Sequence, residues 1–323
     1  TYSIYYNGGA TLTPSSDRES CSDAAAGYSS PGTYDLNGVN YPATSQTPCD
    51  AGTWQNETGK SSCKDADSGY YSPGTATITP AISQTACAAG TYSNYVATTL
   101  SSDRASCTDS AAGYYSPGTV GGTGVTGVTT VATSDIPCAA GTYIATSGAS
   151  SCTDAAAGTY SVGTITVNGA VVPATTETAC AAGTFQANTG QSSCDDAAVG
   201  YYSPGTMGGS GVDTSITTTA TSQLLCAAGT WQNETGQTSC KNAGSGYYSL
   251  GTITLNGVVT NLANQQVPCA AGTYSLYSDD AESTFTPSSD RASCLIAEAG
   301  YYSEGTVTDA TTGVTAVATI QNP

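Results

Sequence analysis

The residues best able to do chemistry in this chain are its 13 cysteines, which recur at regular spacing along 323 residues. Cysteine thiolates can bind a structural metal, or they can oxidise in pairs to disulfides. The chain has no histidine, which argues against a zinc ribbon and leaves disulfides as the favoured chemistry. Dense, regular disulfides predict a secreted, cell-surface or lumenal protein.

Two pairing schemes fit the cysteine spacing. In the first, each cysteine of an anchor motif bonds to the next cysteine, and four of the six loops share a separation of 14. In the second, the separations vary from 24 to 32. We prefer the regular short loops, each worth ~3 kcal/mol in the chain-entropy model, although the sequence alone leaves the connectivity open. The preferred pairs are Cys49–Cys63, Cys87–Cys107, Cys138–Cys152, Cys180–Cys194, Cys226–Cys240 and Cys269–Cys294, with Cys21 left unpaired or bonded to another subunit.

The cysteines belong to a seven-fold internal repeat. In the consensus repeat a first half opens with Cys-Ala-Ala-Gly-Thr-aromatic, with Asp50 in place of the first alanine in one repeat, and ends at the closing cysteine. The second half carries the consensus Gly-Tyr-Tyr-Ser-Pro-Gly-Thr, which is exact in three repeats, and a variable tail. Such self-similarity predicts a row of small modules and not one globular core. The predicted repeats are 1–48, which lacks its opening Cys-Ala-Ala-Gly, then 49–86, 87–137, 138–179, 180–225, 226–268 and 269–323.

These half-repeats resemble the cysteine-rich repeats of the ephrin-receptor-like and tumour-necrosis-factor-receptor type, in which Cys-Pro-x-Gly-Thr-Tyr-Ser leads to a closing Cys-x-x-Cys. Ciliate surface antigens carry similar repeats. The resemblance covers the whole chain and implies a disulfide-rich surface protein. Here both ends of each second half lack the family's cysteines, for example at Ala66 and Gln84. Loss of cysteines in pairs is what removal of one disulfide produces, and it favours the short-loop scheme.

The composition argues against a large hydrophobic core, because Leu, Ile, Val and Phe together number only 40. Modules of about 38 to 55 residues also need covalent staples or neighbours in order to fold. Disulfides must therefore replace the core. The turn signals are clear: Pro73-Gly74, Pro117-Gly118 and Pro204-Gly205 suit type II turns, and Asn37-Gly38, Asn168-Gly169 and Asn256-Gly257 suit two-residue hairpins. We predict an all-β, disulfide-rich, elongated tandem array of hairpin and turn modules with little or no helix.

The charge balance excludes nucleic acid as a partner, since six basic residues against 24 acidic ones, a net charge of -18, cannot neutralise a phosphate backbone. No apolar run approaches the ~20 residues of a membrane helix, so we predict no transmembrane segment. The stretch from Thr1 to Leu12 lacks the features of a signal peptide, and we expect mature or fragmentary sequence. Asn56 and Asn233 lie in matching Asn-Glu-Thr sequons and predict N-glycosylation, with chance occurrence as the alternative.

Paired tyrosines recur at one place in five repeats. Successive strand residues face opposite sides, so we expect one ring of a pair to pack on the disulfide while the other points outward. Structural support for a minimal core is the favoured interpretation, and a contact surface for subunits or sugars is the alternative. The pairs are Tyr70 and Tyr71, Tyr114 and Tyr115, Tyr201 and Tyr202, Tyr247 and Tyr248, and Tyr301 and Tyr302.

Two recurrent charged motifs lie beside the closing cysteines. An aspartate follows by two residues in five repeats, at Asp23, Asp65, Asp109, Asp154 and Asp196. Calcium is a weaker alternative for it than a local Asx turn, because a Ca²⁺ site needs six to eight oxygens. Ser-Ser-Asp-Arg precedes three closing cysteines, ending at Arg18, Arg104 and Arg291, and we expect local Asp-Arg pairing there.

No catalytic constellation is present in the sequence, so we expect neither enzyme activity nor a cofactor. The favoured function is a structural subunit of an extracellular fibre, appendage or surface coat that self-associates head to tail or laterally. The alternative is a cell-surface adhesin, surface antigen or receptor-like ectodomain that binds a protein or glycan. One repeat with singular exposed residues would favour that alternative. Ice or mineral binding through Thr-x-Thr triplets such as Thr75-Ala76-Thr77 is a minor option, because these triplets are not regularly spaced.

Overall fold

The computed structural model describes residues 21–32, 34–36, 39–41, 43, 45–76, 79–96, 98–120, 130–206, 219–277 and 287–323. The chain divides into two compact units. Unit 1 comprises Thr1–Ala139, Tyr143–Thr153 and Gly163–Thr175, and unit 2 comprises Ala140–Thr142, Asp154–Val162 and Thr176–Pro323. The predicted fold class is confirmed: both units are built from short two-stranded antiparallel hairpins stapled by disulfides.

Most strands have two residues, and they fall into three groups by position in the repeat. Those of the first halves are β5 (Thr53–Trp54), β6 (Lys64–Asp65), β9 (Thr91–Tyr92), β10 (Thr108–Asp109), β13 (Thr142–Tyr143), β14 (Thr153–Asp154), β19 (Thr184–Phe185), β20 (Asp195–Asp196), β23 (Thr230–Trp231), β24 (Lys241–Asn242), β29 (Thr273–Tyr274) and β30 (Leu295–Ile296). Those of the second halves are β1 (Tyr28–Ser29), β4 (Thr47–Pro48), β7 (Tyr70–Tyr71), β8 (Thr85–Ala86), β11 (Tyr114–Tyr115), β12 (Ile136–Pro137), β15 (Thr159–Tyr160), β18 (Thr178–Ala179), β21 (Tyr201–Tyr202), β22 (Leu224–Leu225), β25 (Tyr247–Tyr248) and β28 (Val267–Pro268).

The variable tails supply the third group. It consists of β2 (Tyr34–Leu36), β3 (Val39–Tyr41), β16 (Ile165–Val167), β17 (Ala170–Val172), β26 (Ile253–Leu255), β27 (Val258–Asn261), β31 (Val307–Thr308) and β32 (Thr315–Ala316). Helical structure in the described residues is confined to two 3₁₀ helices, Ser101–Arg104 and Ser288–Ala292.

The predicted turns form where glycine or asparagine can take a positive φ. Asn168 and Gly169 have φ values of 51° and 80°, and Asn256 and Gly257 have 52° and 78°, as a two-residue type I′ hairpin requires. The Asn37-Gly38 turn lies outside the described residues, although β2 and β3 pair on either side of it. The Pro-Gly turns are also formed with positive φ, at Gly74, Gly118 and Gly205.

Consecutive half-repeats are joined by one backbone hydrogen bond that recurs throughout each unit. In each half-repeat, the glycine that precedes the aromatic strand donates its N–H to a carbonyl of the next half-repeat. The accepting residue lies three positions after the corresponding glycine of that next half-repeat, and the N···O distances are 2.6 to 2.9 Å. In unit 1 the bonds run from Gly27 to Gln55, Gly52 to Ser72, Gly69 to Ser93, Gly90 to Ser116 and Gly113 to Ile144. In unit 2 they run from Gly141 to Ser161, Gly158 to Gln186, Gly183 to Ser203, Gly200 to Gln232, Gly229 to Ser249, Gly246 to Ser275 and Gly272 to Ser303. We call this series the glycine ladder.

The buried residues are small or polar. Most of the fully buried side chains are the anchor cysteines, alanines such as Ala66 and Ala243, and serines such as Ser72 and Ser116, and the largest are Arg291, Gln55 and Gln232. The Ser72 hydroxyl donates to the Thr53 carbonyl at 2.8 Å, so its burial leaves no polar atom unsatisfied. Large aliphatic side chains lie mostly at the surface, as the low aliphatic content predicts.

Ladder positions such as Gly183 require glycine because the backbone has a positive φ and because a Cβ would clash with a neighbouring backbone atom. The cost of the clash can be isolated by comparing two mutations. Gly183 has φ +92°, and a Cβ there would lie 2.1 Å from the Gly236 carbonyl oxygen; Gly257 has φ +78° with nothing within 4 Å. We expect Gly257→Ala to lose about 1 kcal/mol because L-residues disfavour the left-handed region. Gly183→Ala should lose roughly 1–3 kcal/mol more through the clash. Urea unfolding of the oxidised variants measures the free energies of unfolding, and equal losses would contradict this account of the ladder.

Candidate interaction sites

The disulfides are integrated into the stack of half-repeats. The structure joins the six short-loop pairs, with Cα–Cα distances of 5.7 to 5.8 Å. The Cys49 N–H donates to the Gly27 carbonyl at 3.0 Å, and the Cys49 carbonyl accepts from the Thr75 N–H at 2.7 Å. The Thr75 hydroxyl also donates to the Gly27 carbonyl at 2.6 Å. Each anchor cysteine is thus held between the second halves of its own and the preceding repeat. Cys21 is an exposed free thiol.

A second contact joins each described first half to the repeat before it, at the carbonyl of the residue three positions after the closing cysteine. In repeats with a short first half, a glycine N–H donates to it at 2.8 Å, as from Gly59 to Ala24 and from Gly190 to Ala155. The Ala66 carbonyl instead accepts from Arg104 Nη1 at 2.8 Å. Arg291, which is fully buried, donates in the same way to the Ala243 carbonyl at 3.0 Å. A guanidinium therefore replaces the glycine N–H in the two longer loops.

The expected local Asp-Arg pairing is wrong for Arg104, since no ion pair joins it to Asp103 within the described residues. The long loop offers no glycine N–H at this point, and a buried carbonyl needs a donor. Arg104 supplies it while its guanidinium stacks on Tyr95, 5.0 Å from the ring centroid. Arg18 lies outside the described residues.

The recurrent aspartate also contacts the following repeat. Asp65 Oδ1 accepts a hydrogen bond from the Ser101 hydroxyl at 2.8 Å. Asn242 Oδ1 accepts the corresponding hydrogen bond from the Ser288 hydroxyl, also at 2.8 Å. The hydrogen bond that we expected within a local Asx turn is therefore made across the repeat junction at Asp65. No group of three or more His, Cys, Asp or Glu side chains in the described part of the chain is arranged to hold a metal ion.

Sequence reasoning missed a tyrosine clasp at the same junctions. The Tyr95 N–H donates to Ser68 Oγ at 2.8 Å, and the Ser68 hydroxyl donates to the Tyr95 carbonyl at 3.2 Å. Tyr277 and Ser245 repeat this arrangement at 2.9 and 3.1 Å. The sequence did contain a pattern that could have indicated this contact. Both tyrosines occur in a repeat that contains Ser-Ser-Asp-Arg, and each of these repeats directly follows a repeat that contains Trp-Gln-Asn-Glu-Thr-Gly.

The paired tyrosines do not divide into one packed and one outward ring. Both members of each pair are half-buried in four repeats, at Tyr70 and Tyr71, Tyr114 and Tyr115, Tyr201 and Tyr202, and Tyr247 and Tyr248. Tyr301 and Tyr302 are both exposed. The rings lie opposite small or aliphatic residues on the partner strand, such as Leu225 and Leu224. The tyrosine contact surface stays a prediction.

The two sequons have closely matching surroundings. Lys64 Nζ donates to Asn56 Oδ1 at 2.9 Å and lies 5.0 Å from the Trp54 ring centroid. Lys241 donates to Asn233 at 2.9 Å and lies 5.4 Å from the Trp231 ring. Because the lysine engages the carboxamide oxygen, the nitrogen to which a glycan is attached faces no competition from it.

The charged neighbour of the first sequon is Glu57. Hydrogen bonding and charge attraction from Lys60, with a smaller contribution from Lys64, lower the pKa of the Glu57 carboxyl below its usual range. Glu57 therefore stays ionised under mildly acidic conditions, and the carboxylate helps to hold Lys64 beside Asn56.

The first prediction for these sites concerns Arg104. Arg104→Met keeps the bulk of the side chain but leaves the buried Ala66 carbonyl without its donor, which costs about 1–3 kcal/mol. Lys60→Met removes an ion pair whose side chains are about half exposed, which costs less than ~0.5 kcal/mol. Urea unfolding of the oxidised variants compares the free energies, and hydrogen exchange at the Ser72 amide, which donates to the Arg104 carbonyl, localises the effect. Equal stability of the two variants would refute the role given to Arg104.

The second prediction concerns the sequons. Expressed through a eukaryotic secretory pathway, the protein should carry glycans at Asn56 and Asn233, because both side chains are exposed. Intact mass before and after enzymatic deglycosylation should show two sites, and Asn56→Gln and Asn233→Gln should each remove one. Asn188→Gln is the matched control, since Asn188 is exposed in the corresponding loop but lies outside a sequon. If enzymatic deglycosylation removed the same mass from the two sequon variants as from the unchanged protein, modification at Asn56 and Asn233 would be excluded.

No helix in the described part of the chain is both long enough and apolar enough to cross a membrane. No protein-family model matches this sequence, and a comparison with curated proteins found no similar chain.

Proposed function

We propose that this protein is a structural subunit of an extracellular fibre, appendage or surface coat. The observation that carries the proposal is the glycine ladder, in which half-repeats of different side-chain composition are joined by the same pair of backbone atoms. A junction made by backbone atoms can be reused any number of times, because it does not depend on which side chains a module carries. Repeated, interchangeable junctions serve length and stiffness, which are the properties of a scaffold.

The disulfides support a location outside the cytosol. Six disulfides stapling modules with little aliphatic core are compatible with a secreted or extracellular protein. Within this proposal the protein is not an enzyme and needs no cofactor, and its partners are other copies of itself, together with glycans at Asn56 and Asn233. The resemblance to surface-antigen and receptor-type repeats is consistent with display at a cell surface.

Electron microscopy of native, unreduced material tests the structural role. We expect regular filaments or sheets that disassemble after reduction, because loss of each disulfide removes ~3 kcal/mol from a module that has little other core. Alkylation without reduction is the control, since it blocks the free thiol of Cys21 and leaves the six disulfides intact. Dispersed particles in native material would contradict the structural role.

A second candidate, a surface adhesin or receptor-like ectodomain, is favoured by the singular composition of repeat 7. Leu295 and Ile296 are 60% and 80% exposed, where other repeats carry polar or charged residues such as Lys64 and Asp65. An exposed aliphatic pair that is singular to one repeat suits recognition of a protein partner better than a repeated scaffold contact. Dispersed particles that bind a cell surface through this repeat would favour the adhesin over the fibre.

A further inference from the structure

Repeat 6 carries an exposed apolar hairpin. Its strands β26 and β27 expose Ile253, Leu255, Val258 and Val259 by 41% to 64%. Within the described residues these two strands pair only with each other, so each has an unpaired outer edge. An isolated two-stranded hairpin is only marginally stable in water, and its open edges can pair with a strand of another chain.

The apolar surface extends from the hairpin to the body of repeat 6. Leu250 is 48% exposed and lines a small cavity with Leu262 and Val267. It also borders a shallow cleft of about 290 Å³ between Tyr248, Pro268 and the first half of repeat 7. We call Leu250, Leu262 and the four exposed aliphatic residues of β26 and β27 the hairpin surface.

The hairpin surface lies in an uncharged part of a strongly acidic chain. No charged residue occurs between Lys241 and Asp279, whereas the whole chain has a net charge of -18. Two copies of such a chain repel each other most strongly where their acidic surfaces meet, and the repulsion is weakest where uncharged surfaces meet and the carboxylates are distant and screened by salt. A cationic partner would find no carboxylate here to recognise. The charge distribution therefore favours a second copy of this chain as the occupant.

Repeat 4 provides an internal comparison. Residues 155–176 are also uncharged, and the hairpin of β16 and β17 exposes Ile165, Val167, Val171 and Val172 by 38% to 55%. In both repeats an exposed aliphatic residue, Val162 or Leu250, replaces the proline of Ser-Pro-Gly-Thr. Repeats 2, 3 and 5 keep that proline and have no Asn-Gly turn in their tails, whereas repeat 1 keeps it and has the Asn37-Gly38 hairpin, whose strands include the charged Asp35. The aliphatic replacement and the apolar hairpin thus occur together, twice, in one chain.

We propose that the hairpins of repeats 4 and 6 are lateral contacts between copies of this chain, formed by antiparallel pairing of their outer edges. Identical strands that pair antiparallel are related by a two-fold axis, so one surface can meet its own copy without a specialised partner. Pairing covers the open edges and the exposed aliphatic side chains together. The inference rests on the proposed structural role and identifies the residues of its lateral contact.

Sedimentation velocity over a range of concentrations tests the contact. The double variant Leu255→Lys/Val258→Lys places two like charges on the pairing surface of each copy, and we expect self-association at least tenfold weaker than that of the unchanged protein. Val307→Lys/Val314→Lys is the matched control, because these residues are 54% and 66% exposed in the hairpin of β31 and β32, which contains Asp309. Equal self-association of the unchanged protein and the β26–β27 variant overturns the proposal.

A photocrosslinking residue at position 258 identifies the occupant without depending on the stability of the lysine variants. We expect crosslinks from Val258 to residues 253–261 or 165–172 of a second chain. Crosslinks to another class of molecule, to other parts of the chain, or none at all overturn the proposal. Electron microscopy separates this result from the structural role. Filaments that keep their full width in the lysine variant refute the lateral contact alone, and crosslinked dimers without filaments refute the structural role alone.

Discussion

The hydrogen bond from a glycine N–H to the carbonyl of the next half-repeat is the interaction on which the rest of each unit depends. It is formed at 2.7 Å from Gly27 and again at 2.7 Å from Gly272, although the accepting residues are Gln55 and Ser303. Because both atoms belong to the backbone, the bond places no demand on the side chain of the acceptor. The donor, by contrast, must be a glycine in the left-handed region, and at every described donor except Gly272 a Cβ would also clash with a neighbouring atom.

The ladder explains how a chain with so few aliphatic residues can fold. A closely stacked backbone leaves interior space mainly for alanine, serine and cystine, and the larger side chains buried there, such as Gln55, Gln232 and Arg291, are polar. Buried backbone groups then require partners, which neighbouring half-repeats supply through residues such as Thr75 and Ser72. The disulfides close each first half and limit the entropy of the unfolded chain, a contribution that larger domains obtain from a core.

Much of this fold could be predicted from periodicity, but the junctions could not. The cysteine spacing indicated which loops close, and Asn168-Gly169 and Asn256-Gly257 indicated where hairpins turn, because both signals are local in sequence. The partner of Arg104 is the Ala66 carbonyl, 38 residues earlier, and no sequence pattern shows which backbone carbonyl is left buried without a donor. Reasoning from adjacent residues therefore assigned the arginine to its neighbouring aspartate. Only the co-occurrence of Tyr95 and Arg104 with the preceding Trp54 repeat could have indicated the junction.

The few basic residues bear on the proposed contacts between copies of this chain. Lys60 and Lys64 are engaged by Glu57, Lys241 is engaged by Glu234, and Arg104 and Arg291 are used at the repeat junctions. In the described residues each cation is thus committed to a local contact, and the acidic surface is not compensated by a basic one. Contacts between copies cannot then rely on complementary charge, as many protein interfaces do. The proposed lateral contacts accordingly use surfaces from which charge is absent, so the lack of charge in repeats 4 and 6 supports that proposal together with their exposed apolar residues.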